Sequence, residues 1–180
     1  MPTGGAIIQG PHQHYGTTGG TLALFWGADS SRLQTTLVRA SDCIYKTRGV
    51  AIAMDQLAAR ALISWRPIND RLLTATFQHS LGQLQVIVAY APTELAAADV
   101  KDSFYQYLEH TLSSLQPAQP TLILGDFSAV TGRQRDPHRT VVGPHGHGTP
   151  NDNTERLLNF CVGGGFRIGG HTLLELVFKR

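Results

Sequence analysis

Hydrophobic and polar positions first fall into a regular pattern at Gly49. Before it, residues 1–20 are rich in Gly, Pro, Thr and His without an apolar period, which predicts an irregular leader. Thr21 to Trp26 reads as a short strand, and 27–48 gives no assignment. Gly49 to Met54 is a compact apolar run, a buried strand, and Ala58 to Trp65 fits helix or strand equally. Pro67 to Asp70 is a turn. Arg71 to His79 then alternates Leu72, Thr74, Thr76, Gln78 against Leu73, Ala75, Phe77, which predicts a strand with one buried face. A hairpin turn at Ser80 to Gln83, containing Gly82, leads into Leu84 to Tyr90, whose density of β-branched residues marks a central strand.

Period-2 patterning gives way to period 3.6 after Pro92. Thr93 is placed to cap a helix, with Glu94 in its first turn, and Val100, Phe104, Tyr107 or Leu108, Thr111 and Leu115 form the expected buried stripe. Pro117 and Pro120 end it. Thr121 to Leu124 reads as another buried strand, closed by Gly125-Asp126, and 130–150 as a long loop. Asp152 or Asn153 is expected to cap a short helix with Leu157, Leu158, Phe160 and Cys161 on its apolar side, stopped by Gly163-Gly164-Gly165. Phe166 to Ile168 and Thr172 to Phe178 follow as strands. This order of strands and amphipathic helices is that of a layered α/β domain over 21–180.

Composition narrows the function classes. The chain of 180 residues is 42% hydrophobic and 16% charged, as in globular proteins. It contains no apolar run long enough for a membrane helix, and Met1 to Ile8 lacks the basic region of a secretory signal, so an intracellular, cytoplasmic or nuclear protein is expected. The net charge of +2 argues against strong electrostatic capture of nucleic acid. Arg133, Arg135 and Arg139 with His138 form the densest basic stretch, read as a solvated loop. Cys43 and Cys161 read as free thiols, Cys161 as core.

Candidate chemistry sits where two apolar strands end in polar groups. Val86 to Tyr90 runs into Ala91-Pro92-Thr93, and Thr121 to Gly125 into Asp126-Phe127-Ser128-Ala129. Open α/β sheets place sites at such strand ends. There a carboxylate such as Asp126 can orient a water or bind a cation, and Tyr90 can donate to a phosphate oxygen. Asn151 and Asn153 allow phosphate contact or helix capping, with capping favoured. Arg71 allows phosphate contact or pairing with Asp70. Trp65 can stack on a base, but beside a strand it reads as core. His12 with His14, and His145 with His147, are paired imidazoles in Gly/Pro-rich segments without a nearby Cys or paired carboxylate, a poor metal site.

Taken together, the two strand ends resemble the Y-x-P and G-D-F-N-A signatures of the endonuclease/exonuclease/phosphatase superfamily, and more closely the endonuclease domains of non-LTR retrotransposons. The likeness extends over roughly 49–172. It includes Gly49 to Ala53, Ala61 to Trp65, Ile68 to Ala75, Val100 to Tyr105, Gly143 to Thr149, and Asn151 to Cys161 running into Ile168-Gly169-Gly170. It implies a DNase I-like fold, here an incomplete two-sheet sandwich flanked by helices, and a Mg²⁺-dependent phosphodiesterase acting on DNA. On it Tyr90 and Asp126 carry catalytic roles, and Asp126 is the residue on which the metal would mainly depend; Asn151, Asn153 and Arg71 stay candidates for phosphate or nucleic acid on the residues alone.

Departures from that pattern are expected to matter. Ser128 stands where the family has Asn, as a partial substitute. The first Glu is Glu94 and the first Asn is Asn69, both after the point where the family supplies its early Asn and metal-binding Glu. No Asp follows Asp152, and His171 is the only late His. The expectation is therefore a domain truncated at both ends and degenerate, with little or no phosphodiesterase activity. The alternatives are an active Mg²⁺-dependent endonuclease and a non-catalytic nucleic-acid-binding fragment using the Arg133–Arg139 loop.

Overall fold

The computed structural model describes residues 5–8, 22–26, 43–46, 50–54, 56–79, 82–130, 141–142, 148–169 and 175–179. They divide between two compact units, Met1–Tyr90 and Ala91–Arg180.

In the first unit, β1 (Gly5–Ile8), β2 (Leu22–Trp26), β3 (Cys43–Lys46) and β4 (Val50–Met54) form an antiparallel sheet in the order β1-β2-β4-β3. β1 lies inside the segment expected to be irregular; Ala6-Ile7-Ile8 is too short to show a period, yet it suffices once β2 offers a partner. β4 pairs on both edges, and Val50, Ala51 and Ile52 are all buried, which explains its unbroken apolar run.

The ambiguous stretch resolves into a short helix and a strand, α1 (Gln56–Ala61) and β5 (Leu62–Pro67). β5 pairs antiparallel with β6 (Leu72–His79), and β6 with β7 (Gly82–Tyr90). Ile68 N and Asn69 N both donate to Leu72 O, closing the turn expected at Pro67. His79 pairs with Gly82, so Gly82 and Gln83, expected in the hairpin turn, belong to β7, and Gly82 has φ 133, a backbone open to glycine. The expected one-faced alternation in β6 fails in its first half. Leu72, Leu73, Thr74 and Ala75 are all buried, because β4 packs against β6 and β7. Trp65, expected in the core, is instead 38% exposed, and Ile63 is 49% exposed beside it. Of the described strands, β6 alone pairs with β5, so its side chains meet few neighbours.

In the second unit, β8 (Thr121–Asp126), β10 (Glu175–Lys179) and β9 (Phe166–Ile168) pair antiparallel in that order. Two helices accompany them, α2 (Ala98–Ser113) and α3 (Asp152–Gly164). α2 starts later than expected. Ala96 N donates to Thr93 O at 3.0 Å, so Thr93 opens a turn, and the N-cap is Ala97 with no side-chain hydrogen bond. Its buried stripe is Lys101, Phe104, Tyr105, Leu108 and Thr111, while Val100 and Tyr107 are 44% and 57% exposed. A buried lysine at the head of the stripe disguises its phase.

Phe127 is buried and meets Phe104 edge to face at 6.4 Å. Phe104 contacts Tyr105, Tyr105 contacts Phe160, and Phe160 stacks on Phe166 at 5.7 Å. This chain of rings ties the turn after β8 to both helices and to β9. Each such pair adds about 0.5–1.5 kcal/mol beyond the area it buries. Leu157, Leu158, Phe160 and Cys161 form the buried side of α3, as the sequence implies. Gly165 ends it in the left-handed conformation, φ 70. No helix among the described residues is long and apolar enough to cross a membrane.

Candidate functional site

The candidate residues gather in two groups, one in each unit. In the first, Tyr90 N donates to Arg71 O at 2.9 Å, and Arg71 Nη1 donates back to Tyr90 O at 3.3 Å. The Arg71 guanidinium lies 5.4 Å from the centre of the Tyr90 ring, in cation–π range. Arg71 N also donates to Asn69 Oδ1 at 2.8 Å, which sets the turn that presents it. Arg71 is thus a partner of Tyr90; pairing with Asp70 is not what holds it.

The second group is built around the turn after β8. Asp126 Oδ1 accepts from Ser128 N at 2.7 Å, a bond between residues two apart that closes the turn around Phe127. Asp126 O accepts from Ala91 N at 2.8 Å. Ser128 has φ 49, in the left-handed region that Gly, Asn and Asp tolerate better than Ser.

The amino end of α3 faces this turn. Asn151, for which capping was favoured over phosphate contact, is the N-cap, one residue before the Asp152 or Asn153 also expected there: its backbone is extended, and its Oδ1 accepts from Thr154 N at 3.0 Å and from Val130 N at 3.3 Å. Its Nδ2 donates to Ser128 O at 2.8 Å. The Thr154 hydroxyl accepts from Asn151 N and Val130 N, and lies within hydrogen-bonding reach of Val130 O and Asn151 Oδ1. Asn153 is completely buried, and its Nδ2 donates to Pro92 O at 3.0 Å and more weakly to Ser128 O at 3.4 Å. Asn151 and Asn153 therefore hold main-chain groups.

A charge cluster completes the site, and nothing in the spacing of its residues announces it. Glu94 Oε1 and Oε2 accept from Asp152 N and Asn153 N at 3.1 and 3.2 Å, so a carboxylate from the preceding turn caps α3 and not α2. Lys101, whose side chain is 4% exposed, donates to Glu94 O at 2.6 Å and to Asp152 Oδ2 at 3.0 Å. Arg156 bridges Asp152 and Asp102. Hydrogen bonds from Arg156 and then Lys101 hold the Asp152 carboxyl below its ordinary value.

Mg²⁺ is the cofactor that the resemblance implies, and the described donors do not make a site for it unaided. Asp126 has one carboxylate oxygen turned to Ser128 N, and Glu94, Asp102 and Asp152 are engaged by Lys101, Arg156 or the amides of α3. Among the described residues no three His, Cys, Asp or Glu side chains group so that they could hold a metal ion. His12, His14, His145, His147, His171 and the Arg133–Arg139 loop lie outside those residues.

The order of strands and helices defines the class: a mixed α/β, DNase I-like endonuclease fold. It matches the solved endonuclease domain of TRAS1, a telomere-specific non-LTR retrotransposon, with a TM-score of 0.50 at 10% identity, over 88% of this chain and 64% of that one. At the level of sequence, the chain is homologous to craniofacial development protein 2. It is 33% identical to the Bos taurus protein over 116 residues, covering 64% of this chain and 19% of that protein. The Tragulus javanicus protein is 32% identical over 116 residues, with 64% and 20% covered. The chain thus spans about a fifth of the length of these relatives. No family model matches it.

Proposed function

We propose that this chain is a retrotransposon-type endonuclease-like domain that has become degenerate and has little or no phosphodiesterase activity. One observation carries the reading: the polar side chains around the Asp126 turn hold the backbone. Asp126 binds Ser128 N, Asn151 caps α3 while binding both sides of the turn, and Asn153 is sealed inside. Position 128 offers a short hydroxyl where the resemblance calls for a carboxamide. Charge-stabilising donors in such sites are worth several kcal/mol of barrier each and act as a unit, so the remaining groups do not make good a missing one. In the same reading DNA is a weak partner, held at its phosphates by cations such as Arg71, with an affinity that falls steeply with salt.

The test is nicking of supercoiled plasmid and of abasic-site DNA with Mg²⁺, with Asp126→Ala alongside. Folded protein should cut no faster than its Asp126→Ala variant. Mg²⁺-dependent nicking that disappears in Asp126→Ala would overturn the reading.

A further inference from the structure

Asn153 has no exposed surface, and while its Nδ2 binds two main-chain carbonyls, no described residue donates to its Oδ1. An unmet acceptor at such a depth is destabilising, because it has lost its water and gained no donor. The Ser128 hydroxyl does not reach it, although Ser128 O is only 3.4 Å from Asn153 Nδ2. Backbone at position 128 is left-handed, φ 49. The residues that adopt this conformation readily are Gly, Asn and Asp, and of these only Asn carries a side-chain donor able to reach farther than Ser.

We infer that Asn153 is the positioning residue of this turn, holding the Pro92 and Ser128 carbonyls from inside, and that its Oδ1 is the acceptor half of a carboxamide pair fitted to Asn at position 128. The inference rests on the proposed reading of the site, but it is read out by stability and amide exchange, which are independent of nicking.

The experiment uses the full chain and compares Ser128→Asn with Ser128→Gly by urea denaturation. Glycine relieves the backbone alone; asparagine relieves the backbone and adds the donor. Ser128→Asn should exceed Ser128→Gly by roughly fivefold or more in the folding equilibrium constant. That surplus should vanish in an Asn153→Ala background. Equal effects of Asn and Gly, or a surplus that survives Asn153→Ala, would overturn the inference. Should Asn153→Ala fail to fold, the side-chain amide of Asn introduced at 128 decides by NMR. Slowed hydrogen exchange supports the pair, and exchange at the rate of a free carboxamide overturns it. A merely structural role for Asn153 would not protect that amide.

Discussion

At the residue scale, Lys101 and Glu94 show how a polar side chain becomes part of a core. Lys101 heads the buried stripe of α2 because Glu94 O and the Asp152 carboxylate receive its ammonium. Lys101→Ala removes those bonds and the packed stem, and is expected to cost about 1–3 kcal/mol in urea denaturation, less than a fully buried pair because the Glu94 and Asp152 carboxylates beside it remain partly hydrated. Asp152 gives a pH test. Its carboxyl is held below 3.8, so the folded state prefers the ionised form more than the unfolded chain does. This contribution is complete at neutral pH and is lost as the pH falls below about 3.8, through the lowered folded-state value. Asp152→Asn should therefore flatten the acid limb of a stability–pH curve; an unchanged limb would show that the contact with Arg156 and Lys101 has no energetic weight.

At the element scale, the two ends of α3 make separate predictions. Asn151→Ala removes the N-cap and two bonds to the turn after β8, and should destabilise by about 1–2 kcal/mol in the same denaturation assay. At the other end, a Cβ at Gly165 would meet nothing within 4 Å, so Gly165→Ala carries only the backbone cost of φ 70, about 1 kcal/mol. A Cβ at Gly164 would stand 2.7 Å from the Phe166 ring, so Gly164→Ala should also disturb the Phe160–Phe166 stack. Near-ultraviolet circular dichroism separates the two: Gly164→Ala should change the aromatic signal and Gly165→Ala should not. Sequence was a good guide to these helices where local chemistry sets their ends. The glycine stop of α3 was legible, and so was capping by Asn151, although Asp152 and Asn153 are also good cap residues and competed for the same end. Thr93 misled for the opposite reason: its carbonyl closes a turn on Ala96, and Glu94 caps α3 instead of α2.

At the scale of the whole molecule, β5 is the surface with a physical consequence. It carries Ile63 and Trp65 at 49% and 38% exposure on a strand that pairs, among the described elements, with β6 alone. Exposed apolar edges favour association between copies, and natural proteins blunt them with lysine. Ile63→Lys is expected to raise the soluble fraction on heating without lowering the unfolding midpoint, measured by light scattering beside circular dichroism.

Sequence alone determined the α/β order, the buried runs at β4, β7 and β8, the apolar side of α3, and the resemblance carried by Tyr90, Pro92, Asp126 and the segment from Asn151 to Cys161. These are written in local periodicity and short-range turn chemistry, which a chain carries without knowing its neighbours. Only the tertiary structure decided that Glu94 caps a helix 58 residues away, that Lys101 lies inside while Trp65 lies partly outside, and that Asn153 is sealed between Pro92 and Ser128. Those outcomes depend on which distant group can meet a buried donor or acceptor, and the spacing of residues along a chain does not encode it.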